Sequence, residues 1–157
     1  MYEWDFSAVI ENSDLLWKGL LGTLAITGTA LAFGLPLGLI LALSRLSPRR
    51  WLAWPAGFVI EFFRTTPPLV QLFWFFFALP ILMDIQMTPF LAAAITFSIQ
   101  SSAFFAEVFR AGIVSIESGQ WEAARAIGMQ RPQAMRRIIL PQAVKRMIPA
   151  FTERSIE

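Results

Sequence analysis

An uncharged run of 24 residues, Leu20–Leu43, constrains the fold of this chain more than any other feature. About 20 consecutive apolar residues are needed for a helix to cross the hydrocarbon core of a bilayer. Composition agrees with this reading, because 56% of the 157 residues are hydrophobic and only 15% are charged, against about 25% charged in ordinary soluble domains. The run therefore predicts a first transmembrane span at about residues 20–43.

The charges on the two sides of this run differ in sign. Four acidic residues and one lysine precede it, whereas Arg45, Arg49 and Arg50 follow it. Basic residues near a span are concentrated on the cytoplasmic side. This asymmetry predicts an N-terminus outside the cell and a loop at residues 45–50 in the cytoplasm.

Composition also excludes several kinds of chemistry. The chain has no cysteine and no histidine, so thiol catalysis, disulfides, histidine general-base chemistry and the usual zinc sites are excluded. We expect no cofactor and no metal site. The sequence pI of about 9.7 could suggest nucleic acid as a partner, but the basic residues follow membrane topology instead. The length fits a single domain, residues 1–157.

Two further apolar blocks predict second and third spans at about residues 58–82 and 90–108. Trp51–Phe63 is expected to be an interfacial stretch broken by Pro55, and the second span carries the paired prolines Pro67 and Pro68. The predicted fold is all-α, a polytopic transmembrane helical protein. Gly34, Gly38 and Ala42 place small residues on one face of the first span, which either permits close helix packing or reflects the general frequency of glycine in membrane helices.

Polar residues inside these spans are the candidates for a solute pathway, because polar groups in lipid must face protein or a water-filled cavity. The candidates are Arg64, Thr66, Pro67, Gln71, Gln100 and Ser101. Simpler explanations stay open for two of them. Arg64 could extend to the cytoplasmic interface and pair with Glu61, and Gln100 could form an interhelical hydrogen bond. Glu107 and Arg110 are three residues apart and are expected to pair.

After the third span comes a charged segment at about residues 115–145, in which we expect a short helix, a turn and a second helix. Gly119 is predicted to start the first helix, with Glu122 in its first turn. Gly128 suits the left-handed position after a helix, Pro132 the first position of the next one, and Pro141 should kink or stop it. Eight basic residues from Arg110 onward predict that this segment is cytoplasmic.

The segment Glu122–Pro141 fits E-A-A-x3-G-x9-I-x-L-P at every fixed position. This pattern resembles the EAA loop of the permease subunits of bacterial ABC importers, and we call residues 115–145 the EAA loop. The resemblance implies that this loop docks on a separate ATP-binding subunit. The residues it marks for coupling are Gly119, Glu122, Ala123, Ala124, Gly128, Ile138, Leu140 and Pro141. An amphipathic surface helix pair is the alternative.

Other segments narrow the resemblance to the polar amino acid permeases, the group that includes histidine and glutamine permeases. Glu61–Leu72 is similar to their E-x-F-R-G-T-P-L-L-V-Q-L, with Thr65 in place of a glycine and Pro68 in place of a leucine. Residues 106–113, 119–124 and 140–143 also match. The implied fold has five membrane helices, so with three spans the sequence is expected to be truncated at its C-terminus.

The resemblance implies ATP-driven import across the bacterial inner membrane. The implied partners are an ATP-binding subunit, a second permease subunit that is identical or related, an extracytoplasmic solute-binding protein and membrane lipid. No phosphate-binding loop of the G-x4-G-K-[ST] type occurs, so we expect a transporter subunit and not an enzyme. Two alternatives remain open: a permease for another small solute, such as a compatible solute or an opine, and a membrane scaffold without a transport pathway.

Overall fold

The computed structural model describes residues 12–154, and the side chains as far as residue 147. Within this range all regular structure is helical, as predicted. The helices are α1 (Ser13–Arg45), α2 (Arg50–Thr65), α3 (Pro68–Met83), α4 (Pro89–Val114), α5 (Ser118–Ala126) and α6 (residues 131–154).

Helices α1 and α4 form the main packing interface, which depends on small residues. The buried residues of α1 are Ala30, Gly34, Gly38 and Ala42, one on each successive turn. A Cβ on Gly38 would lie 2.7 Å from Phe105 Cβ and 2.9 Å from the Ser102 carbonyl oxygen. Glycine therefore lets the two backbones approach closely, which favours the packing interpretation of the Gly34–Ala42 stripe.

These two helices run in the same direction. Gly34 lies against Ser101, and Gly38, one turn later, lies against Phe105, so both contacts advance together along the chain. Both helices are long and apolar enough to cross a membrane. For α4 to run parallel to α1, the intervening chain must return to the side where α1 begins. The bent pair α2–α3 is the helical segment between them, and counting this pair as one broken span gives three crossings.

The second crossing differs from the predicted uninterrupted span at residues 58–82. Helix α2 ends at Thr65, α3 begins at Pro68, and their axes are bent by 103°. The paired prolines cause the break, because neither can donate a backbone hydrogen bond. The expected break at Pro55 is wrong, since this proline lies inside α2 and the helix continues through it.

Two other prolines are accommodated by widened turns. A π-helical turn at Trp74–Ala78 precedes Pro80, and another at Met135–Ile139 precedes Pro141, each ending two residues before its proline. An α-helical proline clashes with the carbonyl of the residue four positions earlier, and the wider turn contains that residue. Of the two effects expected at Pro141, a kink or a stop, the structure excludes the stop, because the backbone remains helical through Leu140–Arg154.

Candidate functional site

The break between α2 and α3 is held together by the side chain of Gln71. Its Nε2 donates to the carbonyl oxygens of Thr66 at 2.9 Å and Phe63 at 3.1 Å. Because the helix is interrupted, neither oxygen has its usual backbone donor. The same nitrogen lies 2.5 Å from Gln100 Oε1 on α4. Gln71 is 4% exposed and Gln100 is 8% exposed, so the network is shielded from solvent. The interhelical hydrogen bond expected for Gln100 is thus present.

A cavity of about 990 Å³ lies beside this network, and we call it the central cavity. Its lining combines the broken helix with the middle of α4 and includes Arg64, Thr66, Pro67 and Gln100. Four of the six pathway candidates therefore line one cavity. Gln71 contacts two of these four, Thr66 and Gln100. Ser101 does not line the central cavity: this side chain lies between α4 and α1, against Gly34.

Arg64 occupies an unusual position for a charged residue. It lies in the last turn of α2, about 21 Å along the axis from Arg50 at 1.5 Å per residue. Within the described residues it forms no ion pair with Glu61, so the alternative in which the two residues pair is wrong. Instead its guanidinium carbon lies 5.7 Å from the centre of the Phe104 ring, a cation–π geometry. Its Nε is buried and has no hydrogen-bond partner among the described atoms.

A second cavity, of about 350 Å³, lies nearer the EAA loop, and we call it the loop-side cavity. Glu107, Gly112, Ser115 and Arg146 are among its lining residues. Arg110 Nε donates to both carboxylate oxygens of Glu107 at 3.0 Å, which confirms the expected pair. The charge of Glu107 is therefore partly neutralised where it faces this cavity.

In the EAA loop, α5 begins one residue earlier than expected. Ser118 is its first residue, so Gly119 lies at the second position and Glu122 lies beyond the first turn. The sequence expectations for Gly119 and Glu122 are therefore both wrong. Glu117 is the residue that precedes the helix, and Gly119 lies within it. Glu122 is thus too far along α5 for a first-turn interaction with the helix dipole.

The end of α5 has the predicted geometry. Gly128 has φ of 78°, in the left-handed region. Its backbone N–H donates to the Arg125 carbonyl at 2.9 Å, and the N–H of Met129 donates to the Ala124 carbonyl at 3.0 Å. These two bonds form a Schellman motif, for which glycine is the preferred residue. Pro132 is the second residue of α6 and not the first, a shift of one position.

The predicted coupling residues fall into two groups by exposure. Ala124 is fully buried, and Ile138 and Leu140 pack against a core formed by Ile113, Ile116, Ile139, Ala143 and Met147. The solvent-exposed members are Gly119, Glu122, Ala123, Gly128 and Pro141. The first group thus supports the loop from within, and the second group is available to a partner.

Sequence reasoning missed one exposed apolar residue of this surface, Ile127. It is 70% exposed at the end of α5, directly before Gly128. The sequence did contain a signal for it. Ile127 lies between the alanines of α5 and the glycine that ends the helix, and a residue at that position lies at the tip of the turn. We call Glu122, Ala123, Ile127 and Gly128 the tip surface.

Three contacts, made by two side chains of α6, hold the start of α5 and the segment before it. Arg146 on α6 donates to the carbonyl oxygen of Ser115, at the end of α4, and lies 3.7 Å from the Glu117 carboxylate. Gln142 Nε2 donates to Gln120 Oε1 at 3.0 Å. The first and last parts of the EAA loop are thus joined to each other and to the end of α4. A force on the tip surface would therefore reach α4 through direct contacts.

Several proteins resemble this chain in sequence along most of its length. A putative glutamine transport system permease protein of Rickettsia bellii is 43% identical over 88% of this chain and 64% of its own length. The arginine transport system permease protein ArtQ of Bacillus subtilis is 40% identical over 97% of this chain and 69% of its own. The glutamate/aspartate import permease protein GltK of Escherichia coli is 37% identical over 99% and 73%. The chain thus spans roughly two thirds of the length of these relatives.

Two solved structures of ABC transporters are similar to this chain in fold. The crystal structure of an amino acid ABC transporter with histidines aligns with a TM-score of 0.86 and 36% identity, over 98% of this chain and 71% of that one. The methionine ABC transporter MetNI, with a TM-score of 0.63 and 23% identity, shares the fold. Residues 34–156 match the family described as the inner membrane component of binding-protein-dependent transport systems. With this match over most of the sequence, the chain belongs to that family of ABC importer membrane components.

Proposed function

We propose that this chain is the permease part of an ATP-driven importer for polar amino acids. The observation that carries the proposal is the exposed tip surface on an internally braced EAA loop, next to helices that line an open cavity containing the polar side chains of Arg64, Thr66 and Gln100. Ala123 and Ile127 offer an apolar contact that a groove on an ATP-binding subunit can bury, and Glu122 supplies a charge beside it. ATP hydrolysis belongs to that partner, and the contacts of Arg146 pass its movement to α4.

The central cavity has the chemistry expected for an amino acid. A guanidinium group is a strong partner for a carboxylate, and Arg64 provides one with an unused Nε hydrogen. The Gln100 amide and the Thr66 hydroxyl line the same cavity and suit the remaining polar groups of such a solute. The named relatives transport glutamine, arginine, or glutamate and aspartate, which supports the substrate class without choosing among its members.

The orientation proposed from the charges places the N-terminus outside and the EAA loop in the cytoplasm. An extracytoplasmic solute-binding protein would then deliver the amino acid at the side where α1 and α4 begin. A second permease subunit, identical or related, would complete the pathway. In this arrangement the tip surface faces the compartment that contains ATP.

The test compares two neighbouring alanines of α5 in the complete transporter. Ala123→Val enlarges an exposed residue, whereas Ala124→Val enlarges one that is 0% exposed. We expect Ala123→Val and Ile127→Asp to insert normally but to retain less ATPase subunit on purification and to lose ATP-dependent uptake of amino acids. Ala124→Val should instead reduce the yield of folded subunit, because it overpacks the inside of the loop.

Gly128→Asp adds a charge at the tip and places a non-glycine residue at positive φ. We expect normal membrane insertion with loss of transport. Unchanged solute-stimulated ATP hydrolysis in this variant and in Ile127→Asp would overturn the docking role of the tip surface. A parent protein that purifies with no ATPase subunit at all would favour a membrane scaffold instead.

A further inference from the structure

Two cavities on one side of α4 meet at a single pair of residues. The central cavity is lined by residues from Thr27 to Phe104, and the loop-side cavity by residues from Arg64 to Met147. Arg64 and Phe104 are the two residues that line both. The two cavities therefore adjoin where the Arg64 guanidinium contacts the Phe104 ring.

We propose that Arg64 and Phe104 form a gate between the central cavity and the loop-side cavity, and that a carboxylate bound to Arg64 opens it. This inference rests on the proposed function, because it assumes that the two cavities are successive parts of one solute pathway. The gate is a direct contact between two side chains from different helices, one on α2 and one on α4. Relative movement of these helices is enough to open it.

The local chemistry explains why the contact is reversible. A cation held over an aromatic face is attracted by the ring quadrupole, more strongly where water is excluded. An ionised carboxylate is a better partner for guanidinium than a ring is, because it accepts two parallel hydrogen bonds. Arg64 Nε is buried and has no hydrogen-bond partner among the described atoms, so a carboxylate can bond to it only after the guanidinium leaves its present position. A carboxylate in the central cavity would therefore compete with Phe104 for the same cation.

The surroundings of Arg64 connect α2 to α4 and to a second charged residue beside the gate. Arg64 lies two residues before Thr66, whose carbonyl oxygen is held by Gln71. Since Gln71 also contacts Gln100, the broken helix and α4 are connected immediately beside the gate. On the loop side, Glu107 lines the same cavity as Arg64. Glu107 thus offers a second electrostatic partner for Arg64 when the ring contact is lost.

The experiment measures passage through the gate with a thiol reagent. The chain has no cysteine, so a cysteine at Thr66, which is half-buried and lines the central cavity but not the loop-side cavity, gives a single reporter once the rest of the transporter is cysteine-free. An impermeant maleimide is added on the EAA-loop side of vesicles that contain the complete transporter, without nucleotide. We expect slow labelling in the parent and labelling about tenfold faster in Phe104→Ala, as removal of a desolvated cation–π contact implies.

Phe97→Ala is the matched control. Phe97 is also an aromatic residue of α4 and lines the central cavity, but it does not line the loop-side cavity. Its removal should leave the labelling rate unchanged. In Arg64→Gln, the reporter cysteine should be labelled as fast as in Phe104→Ala. In Arg64→Lys, the labelling rate should be intermediate, because lysine keeps the charge but lacks the planar group. Equal labelling rates in Phe104→Ala, Phe97→Ala and the parent would overturn the gate.

The carboxylate requirement is tested with L-glutamine, L-arginine and L-glutamate, and with agmatine as the carboxylate-free analogue of arginine. An amino acid that the transporter takes up should accelerate labelling of the parent but not of Arg64→Gln, and agmatine should have no effect. Acceleration by agmatine equal to that by arginine would overturn the carboxylate trigger. Failure to take up any amino acid would contradict the proposed function, whereas the Phe104→Ala comparison tests the gate without added solute.

Discussion

Gln71 Nε2 lies 2.5 Å from Gln100 Oε1, and this contact joins the broken helix α2–α3 to the middle of α4. Gln71 Nε2 also donates to two carbonyl oxygens that have no helical partner because of the break. Gln100 Oε1 is therefore one of three acceptors around this nitrogen. The two glutamines therefore differ in what their loss leaves behind. Gln71 maintains the shape of the broken span, and Gln100 both contacts it and lines the central cavity.

We expect Gln71→Leu to destabilise the protein more than Gln100→Leu. Removal of Gln71 leaves the carbonyl oxygens of Phe63 and Thr66 without their donor, at a cost of about 1–3 kcal/mol. Removal of Gln100 costs about 1 kcal/mol, because Gln71 keeps its other two acceptors. Yield of monodisperse complex and its midpoint of thermal unfolding measure the difference. Gln86→Leu, at an exposed position between α3 and α4, is the control.

Uptake measured beside yield separates the two roles of Gln100. If it contributes to solute binding, uptake per folded complex should fall in Gln100→Leu and not in the control. A fall in uptake that only matches the fall in yield would restrict Gln100 to helix packing. The solute pathway would then depend on Arg64 and Thr66.

The close approach of α1 and α4 gives a second prediction. Gly38→Ala should destabilise the subunit by at least about 1–3 kcal/mol, the usual cost of overpacking, because the new methyl group would meet backbone atoms that cannot move aside. Gly28→Ala, on the same helix, has open space around its Cβ position and should be tolerated. Equal thermal stability of the two variants would contradict the packing role of the small-residue stripe.

Charge and hydropathy made much of this fold predictable. The uncharged run at residues 20–43 lies within α1, and Gly128 ends α5 as expected, because both signals depend on local physics. The path of residues 58–82 was not predictable, since the bend of 103° depends on how Gln71 and Gln100 hold the two halves. The same is true of Arg64, whose contact with Phe104 joins residues far apart in sequence.

Prolines were the least predictable residues. A proline in a helical pattern indicates a break, and that inference holds at Pro67–Pro68 but not at Pro55 or Pro141. Pro141 is tolerated because the preceding turn widens to a π-helix and Ile139 is held in the core beside Ile113 and Met147. Tertiary packing, which periodicity does not report, decides between a break and a widened turn.

Pro141→Ala therefore tests the π-turn. The substitution supplies an N–H that can donate to the Arg137 carbonyl, so we expect an ordinary α-turn to become more favourable at Met135–Ile139. Slower hydrogen exchange across residues 135–141 would report the change. Pro132→Ala is the control, because the second residue of a helix needs no donor. Identical exchange in both variants and the parent would show that the core alone maintains the wide turn.

The turn after α5 gives a prediction about backbone strain. Gly128→Ala should cost about 1 kcal/mol, because φ of 78° is unfavourable for a residue with a Cβ, although the space around it is open. Gly119→Ala, at the second position of α5, should be neutral or slightly stabilising, since alanine favours a helix more than glycine does. Protease sensitivity of the EAA loop in the purified complex measures both effects. A Gly128→Ala loop no more sensitive than Gly119→Ala would contradict the strain argument.

The parallel directions of α1 and α4 make the membrane topology testable with few positions. Ser13, at the start of α1, and Asp84, just before α4, should lie on one side, and Ser47 and Gln130 on the other. Cysteines introduced singly at Ser13 and Asp84 should react with an impermeant reagent outside intact cells, and those at Ser47 and Gln130 should react only after permeabilisation. Gln86→Cys replaces Asp84→Cys if the left-handed φ of 52° at Asp84 reduces expression of the cysteine variant.

Labelling of Gln130→Cys from outside would reverse the proposed orientation and remove the tip surface from the compartment that contains ATP. Labelling of Ser13→Cys and Asp84→Cys from opposite sides would contradict the three-crossing arrangement itself, because it would require α2–α3 not to cross the membrane.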